Sequence, residues 1–518
     1  MELTSVKLDP HKRIIMLKAS GAVAATFIMF AAVAGAESPP QKIAIQWDKV
    51  IAVSKLHGSV QLGPGEATDP VHEQIMHALQ ELGADFVRYV AWYPDPKSAV
   101  AELYPPENGK TFWDFSKLDP PLEEFLKVMD GHSYIINFST IPEWMFKTEK
   151  PVDPLKATWD YSQGTKLRVP LKDVGDYYAR MVSWYTQGGF ADEHGKRHES
   201  GHHFSFPYWE VLNEPELEHA TTPEQYTERY DAIVGAIHRV SPQTKFIGLA
   251  LGFPMWEPKY FTYFLNPRNH QPGVPIDFVS YHCYTTYRSE FSRKEQITTV
   301  FDQTDQLLDA IRYSEAIRDE FSPTTGMILD ELGTGPVGWA VLDSSTEYLP
   351  FEFQLSAAMY AYLYGQMAVL GVDAGNVSGL VRSRPGSMFQ ELAMLSEAGQ
   401  PNNRYWGLKL LVDNLRPSDK LVATGVPSPS MLGGHEYREL PVYVQAFVTQ
   451  SGSRKLLLVN KRDGPSDVLV PSAQGARMEF VDRTTANLQA SSLQLLSDTI
   501  TLNGLAVAVV TFPKMPGL

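Results

Sequence analysis

Between residues 42 and 400, short apolar runs alternate with amphipathic stretches of helical length, and this rhythm limits the chain to few architectures. Runs of strand length and composition fall at 84–91, 133–139, 206–212, 245–251, 276–284 and 326–332. Between them, three helices announce their starts with a capping residue followed by proline: Asp69-Pro70, Asp119-Pro120 and Thr222-Pro223. Proline fits the first helical position because its missing N–H has no partner there anyway. Further helices fit 173–187, 294–320 (in one or two pieces) and 352–370. Strand–helix units repeated over about 360 residues have the size of a (β/α)8 barrel with insertions. The first barrel strand is expected at 42–47 or 50–54, and the eighth within 372–381. An open doubly wound sheet is the alternative, but no G-x-G-x-x-G or phosphate-loop motif follows any strand.

After a helical stretch at 403–414 the pattern changes to short strands, at 443–449, 455–460, 468–471, 477–481 and 505–512, separated by Gly, Pro, Ser and Asp. Three regions are therefore expected: a leader at 1–36, a barrel at 37–402 and a C-terminal β-sandwich at 403–518. The leader has Lys12, Arg13 and Lys18 ahead of an apolar run that ends in Ala34-Gly35-Ala36, the pattern of a cleaved secretory signal. That run is short for a membrane span. Location outside the cell or in a bacterial periplasm follows, with no membrane attachment after cleavage. Without the leader's four basic and two acidic residues, the chain carries 41 basic against 58 acidic groups, a net charge of −17. Nucleic acid and acidic lipid both need a positive face, so neither is an expected partner. The single cysteine, Cys283, forms no internal disulfide. Oligomeric state cannot be read from the sequence.

In a (β/α)8 barrel, reactive side chains project from the C-terminal ends of the strands. Two carboxylates stand at such ends. Glu214 follows the run 206–212 and is stopped by Pro215, and Glu331 closes the run Met327-Ile328-Leu329-Asp330. A pair of carboxylates from separate strands is what cleavage of a glycosidic bond requires: one protonates the leaving oxygen, and the other attacks the anomeric carbon or activates water. If the register slips by one residue, Asp330 replaces Glu331 in that role. On the run 276–284, Ser280, His282 and Tyr284 share a face by alternation. His282 or Tyr284 at that place would hold a carboxylate ionised. Arg88 sits in an otherwise apolar run and is costly to bury without an anion. Trp92, Trp144, Trp256 and Trp339 lie just beyond strand ends, where an aromatic face can stack on a sugar ring.

The segment "WEVLNEPE" resembles the acid/base motif of clan A glycoside hydrolases, and "ILDELGT" resembles their nucleophile strand. The similarity is greatest to glycoside hydrolase family 39, which includes β-xylosidases and α-L-iduronidases, and runs from about residue 50 to 515. It includes "ELGADFVRYVAWYP", "TFWDFSKLDPPLEEFL" and the trailing β-domain. The resemblance implies Glu214 as general acid/base, Asn213 as a contact to the sugar 2-hydroxyl and Glu331 as nucleophile. It likewise implies that His-Cys-Tyr at 282–284 matches the clan's His-x-Tyr element. Departures occur at Tyr89-Val90-Ala91 after Arg88, at Leu212 where tryptophan is common, and at Asp330 where threonine often precedes the nucleophile. They bear on sugar preference rather than reaction class. The implied activity is a secreted, retaining, β-xylosidase-like exo-glycosidase acting on a glycoside or oligosaccharide, with no metal or organic cofactor. Alternatives are another clan A glycosidase, of endo-glucanase or glucuronidase type, and a non-catalytic carbohydrate-binding barrel.

One motif points elsewhere. His198-Glu199-Ser200-Gly201-His202 spells the H-E-x-x-H of zinc peptidases, which requires both histidines on one face of a helix. Gly188-Gly189, Gly195 and Gly201 make poor helix here, so the segment reads as a loop leading into the 206–212 strand.

Overall fold

The structure is a computed structural model and describes residues 39–91, 96–147, 166–252, 254, 257–337, 348–384, 390–425 and 440–513. The leader at 1–36 and Trp92, Trp256 and Trp339 lie outside the described residues. Eight parallel strands close into a barrel: β1 (His57–Leu62), β2 (Val87–Ala91), β3 (Tyr134–Phe138), β4 (Tyr208–Glu210), β5 (Lys245–Leu251), β6 (Phe278–Tyr287), β7 (Gly326–Pro336) and β8 (Ala374–Ser378). Each is followed by a helix: α1 (His72–Leu82), α2 (Asp119–Val128), α3 (Leu171–Thr186), α4 (Pro223–Val240), α5 (Lys259–Phe264), α6 (Arg293–Phe321), α7 (Tyr348–Leu370) and α8 (Asn403–Asn414). The (β/α)8 expectation holds. Local chemistry sets several boundaries. Thr222 caps α4 and Ser292 caps α6, each in a reciprocal box with the residue three places on. α6 runs unbroken for 29 residues.

The expected first strand is misplaced in the sequence reading. Residues 44–53 do form a strand, Ala44–Val53, but it pairs antiparallel with Lys420–Gly425. It is the edge of a seven-stranded sheet that continues through Val442–Val448, Arg454–Asn460, Val507–Thr511, Arg477–Val481 and Ser491–Gln494. Its largely exposed pattern is that of an edge strand, whereas β1, with less apolar sequence, is almost wholly buried. A second sheet joins Gln41–Lys42, Ser466–Leu469 and Thr499–Leu502, and the two sheets enclose Val444, Leu456, Leu458, Val468 and Ile500. The β domain thus takes strands from both ends of the described chain, so 41–53 do not belong to the barrel. α8, assigned from sequence to the β domain, packs on α7 and β1 as the barrel's eighth helix. The junction is fixed by polar contacts: Gln354 on α7 donates to the Leu505 carbonyl at 2.6 Å, and Asn403 on α8 donates to the Asp482 carbonyl at 3.1 Å.

Inside the barrel the inward-facing residues form layers. Near the strand starts, Phe86, Ile135, Ile247, Ile328 and Ala374 make an apolar plug. Two residues further along, β2, β3, β7 and β8 present Arg88, Asn137, Asp330 and Asn376, and β4 and β6 add Glu210 and Ser280, every one fully buried and polar. A whole polar layer in a protein interior is costly unless its members satisfy one another. That layer is the floor of the site.

Candidate active site

β4 ends at Glu210, and the chain then turns through Leu212 (φ 66°) and Glu214 (φ 40°, ψ 54°). Left-handed backbone at a residue with a side chain is uncommon and clusters at functional positions. It is held here by a hydrogen bond from the Glu214 N–H to the Ala250 carbonyl at 2.9 Å. Gly252, just past β5, lies where a Cβ would come within 2.7 Å of Glu214 Oε1, so a side chain there would push the carboxylate from its place.

Glu331 arrives by a different device. In the β6–β7 register Tyr281 pairs with Leu329 and His282 pairs with Glu331, so Asp330 is an extra residue bulged out of the ladder. A bulge breaks the alternation of faces. Asp330 and Glu331, adjacent in sequence, therefore both reach Arg88, whose Nη1 lies 2.6 Å from Glu331 and Nη2 3.4 Å from Asp330. Sequence reasoning had to choose between these two carboxylates, and the fold turns both inward.

The face of β6 read from alternation forms a ladder of three hydrogen bonds. Ser280 Oγ donates to Glu210 at 2.8 Å, His282 Nδ1 meets Glu214 Oε1 at 2.7 Å, and Tyr284 Oη donates to Glu331 Oε2 at 2.7 Å. His282 Nδ1 also stands 3.5 Å from Glu331 Oε2. One oxygen of Glu214, one of Glu331 and a ring nitrogen of His282 lie within 4.8 Å of one another. Glu214 keeps about a quarter of its side chain exposed, while Glu331 is nearly buried.

Arg88 is fully buried, and four of its five N–H donors are directed. Nε donates to Glu210 at 2.6 Å, Nη1 to Gln61 at 2.8 Å and to Glu331 at 2.6 Å, and Nη2 to Asn213 at 2.7 Å. Asn213 passes the chain on, donating to Glu218 at 2.9 Å. The anions that Arg88 required are thus Glu210 and Glu331. Trp144 packs half-buried on the core after β3, with its indole N–H on the Glu102 carbonyl at 2.9 Å.

Electrostatics separate the carboxyls. Burial pushes Glu331 up, but the charges of His282 and Arg88 and the Tyr284 hydroxyl outweigh it and hold the carboxyl below its ordinary range. Burial alone would lower His282, yet Glu331, Asp330 and Glu214 raise it to about 10. Burial and the neighbouring Glu210 push Asp330 well above the usual aspartate range. Burial also raises Glu218, and Glu214 and Glu331 add to it. Sequence reasoning missed Glu210, Glu218, Gln61, Asn137 and Ser378, whose hydroxyl stands 2.8 Å from the Tyr284 hydroxyl and accepts from Gln61 at 2.9 Å. Glu210 was detectable: it is charged and lies within the strand that leads to Glu214, and Arg88 needed an anion.

The H-E-x-x-H segment is no helix. Gly189–Ala191 and Arg197–Glu199 form a two-stranded hairpin ahead of β4. Its histidines part company: His198 bonds Asp192 at 2.9 Å, and His202 faces Glu123 at 3.5 Å and Asp119 at 3.6 Å on α2. Among the described residues, Asp119–Glu123–His202 and Glu214–His282–Glu331 are the two groups whose ligand atoms are near enough together to hold a cation.

A model of the family described as "Glycosyl hydrolases family 39" matches residues 190–350, a stretch that contains both Glu214 and Glu331. Over that stretch the chain is similar to glycoside hydrolases of family 39. A β-xylosidase from Caldicellulosiruptor saccharolyticus is 25% identical to it over 256 residues, 47% of this chain and 46% of that protein, so the match spans about half of the relative. Among solved structures, the chain resembles a family 39 β-xylosidase from Caulobacter crescentus, with TM-score 0.57 and 14% identity over 92% of this chain and 100% of that one. It also resembles a family 51 arabinofuranosidase from Xanthomonas axonopodis pv. citri, with TM-score 0.60 and 12% identity over 92% and 100%. At such identities these likenesses concern the fold.

Proposed function

We propose that the protein is a glycoside hydrolase, a retaining exo-glycosidase of β-xylosidase type, exported by its leader and working by double displacement. The observation that carries this reading is the approach of Glu214 and Glu331 oxygens within 4.8 Å around one histidine ring. Carboxyl groups about 5–5.5 Å apart leave no room for a water between them and suit a direct nucleophile, whereas inverting pairs stand about 6.5–9.5 Å apart.

In the first step a Glu331 oxygen forms a bond to the anomeric carbon while the bond to the leaving oxygen breaks. The proton carried by Glu214 passes to that oxygen, giving a glycosyl ester on Glu331. In the second step Glu214 takes a proton from water, the water oxygen attacks the anomeric carbon, and the ester bond returns its electrons to Glu331. Arg88 and Tyr284 each hold one oxygen of Glu331, which keeps it charged and aimed. His282 engages Oε1 of Glu214, leaving Oε2 to carry the proton. As the ester forms, the charge on Glu331 disappears, and His282 still faces Glu214 as it takes up its own.

The test is turnover of a panel of aryl glycosides, led by the β-xyloside and the α-L-arabinofuranoside, with the anomer first released followed by proton NMR. Retention with preference for the xyloside, and single sugars released from xylo-oligosaccharide ends, support the reading. Inversion would overturn the mechanism, and preference for another sugar would overturn the assigned substrate.

A further inference from the structure

Asp330 is the one member of the polar floor with no good hydrogen bond. Both of its oxygens are buried and unpartnered, as is Nε2 of His282. Its Oδ2 stands 3.4 Å from Arg88 Nη2 and 3.8 Å from His282 Nε2, just beyond useful reach of either. An aspartate anion in that position would be buried without a donor, which is among the costliest arrangements available to a protein. Beside it lies Glu210, whose Oε2 is taken by Arg88 at 2.6 Å and Asn137 at 2.7 Å, and whose Oε1 accepts from Ser280 at 2.8 Å. Two carboxyls in one buried site do not both ionise, so one keeps a proton.

We propose that Asp330 is a positioning residue that keeps this proton and donates it to Glu210. Alternation from Ile328 places it in the floor, the bulge turns Glu331 in beside it, and its neutrality leaves Arg88 and His282 to serve Glu331 and Glu214. The proposal rests on the double-displacement reading for its catalytic consequence, but not for the proton itself. Charge counting agrees. With Glu210 and Glu331 ionised, the floor's two cations, Arg88 and His282, are matched, and a third anion would repel the nucleophile. The opposite displacements of the two carboxyls, Asp330 up and Glu210 down, accord with one proton resting on Asp330. The titratable and charged groups around Asp330 are Arg88 from β2, Glu210 from β4, Tyr226 from α4, His282 and Cys283 from β6 and its neighbour Glu331.

Infrared difference spectra of the full chain at pH 7, wild type against Asp330→Asn, test the proton directly. A protonated-carboxyl C=O band lost in the variant is expected; a flat difference would overturn the proposal. Kinetics supply the second arm. Asp330→Ala, which removes the donor to Glu210, is expected to lower kcat about tenfold, and Asp330→Asn, which keeps a neutral donor, to restore it to within about threefold. The acidic limb of kcat/KM should stay in place in Asp330→Asn. A downward move of about one pH unit would show that an ionised Asp330 had been repelling Glu331, and would overturn the proposal. Asp330→Thr repeats the infrared arm should Asp330→Asn fold poorly. Should the wild type turn over no aryl glycoside, the function reading fails while the infrared arm still decides the proton.

Discussion

Two places among the described residues set one histidine between two carboxylates, and they have little else in common. In the Asp119–Glu123–His202 group the ring nitrogen stands 3.5 and 3.6 Å from the oxygens, and Glu123 is half exposed. In the Glu214–His282–Glu331 group the contacts are 2.7 and 3.5 Å, and the histidine is inaccessible. The surface group is drawn from a hairpin and the start of a helix. The buried group is drawn from the ends of three barrel strands, with a guanidinium beneath it. Composition is therefore not what makes a site. Burial strengthens each charge interaction, and the sheet fixes where each charge stands.

Four experiments test this contrast. The largest effect is expected from Glu331→Gln, which should lower kcat by about 10⁴-fold or more, with Glu214→Gln losing about 10²–10⁴-fold. Steady-state rates on an aryl glycoside measure both, and a wild-type rate in either variant would break the comparison. Next, Arg88→Ala leaves Glu210 and Glu331 buried without their shared cation and should cost about 3–5 kcal/mol of stability, read from the denaturant midpoint.

A third effect is a pH dependence. His282 is raised from 6.5 to about 10 in the folded state, so its contribution to stability is complete below about pH 6.5 and is lost as pH rises through 10. Melting temperatures between pH 6 and 10 should fall more steeply for wild type than for His282→Gln. The smallest effect belongs to the surface group. His202→Ala, or Asp119→Asn with Glu123→Gln, should change stability by no more than about 1 kcal/mol and leave turnover unaltered. A turnover loss there would place the hairpin in the chemistry after all.

Much of the site was legible because strand alternation is a local rule. Ser280, His282 and Tyr284 were placed on one face from spacing alone, and each now bonds a different carboxylate. Arg88 could be read as demanding an anion, since a buried guanidinium is untenable without one. The reading of Asp330 and Glu331 as alternatives stopped at the bulge. An extra residue in one strand has no meaning until the partner strand is known, and β6 lies more than forty residues away in sequence. Glu218 was passed over for a similar reason: its role depends on Asn213 turning its amide inward toward Glu218 and Arg88.

The sequence by itself determined the barrel, through its strand–helix rhythm, and placed Glu214 just past the end of a strand, although of the three predicted proline-led caps only Thr222 caps its helix. Pairing was decided only in three dimensions. Ala44–Val53 is a strand by its own composition, but its partner lies some 370 residues away, and that contact takes it out of the barrel and into the β domain. The polar floor obeys the same logic. No local pattern reveals that Arg88, Glu210, Asp330 and Glu331 meet, because each is tolerable inside the protein only through the company of the others.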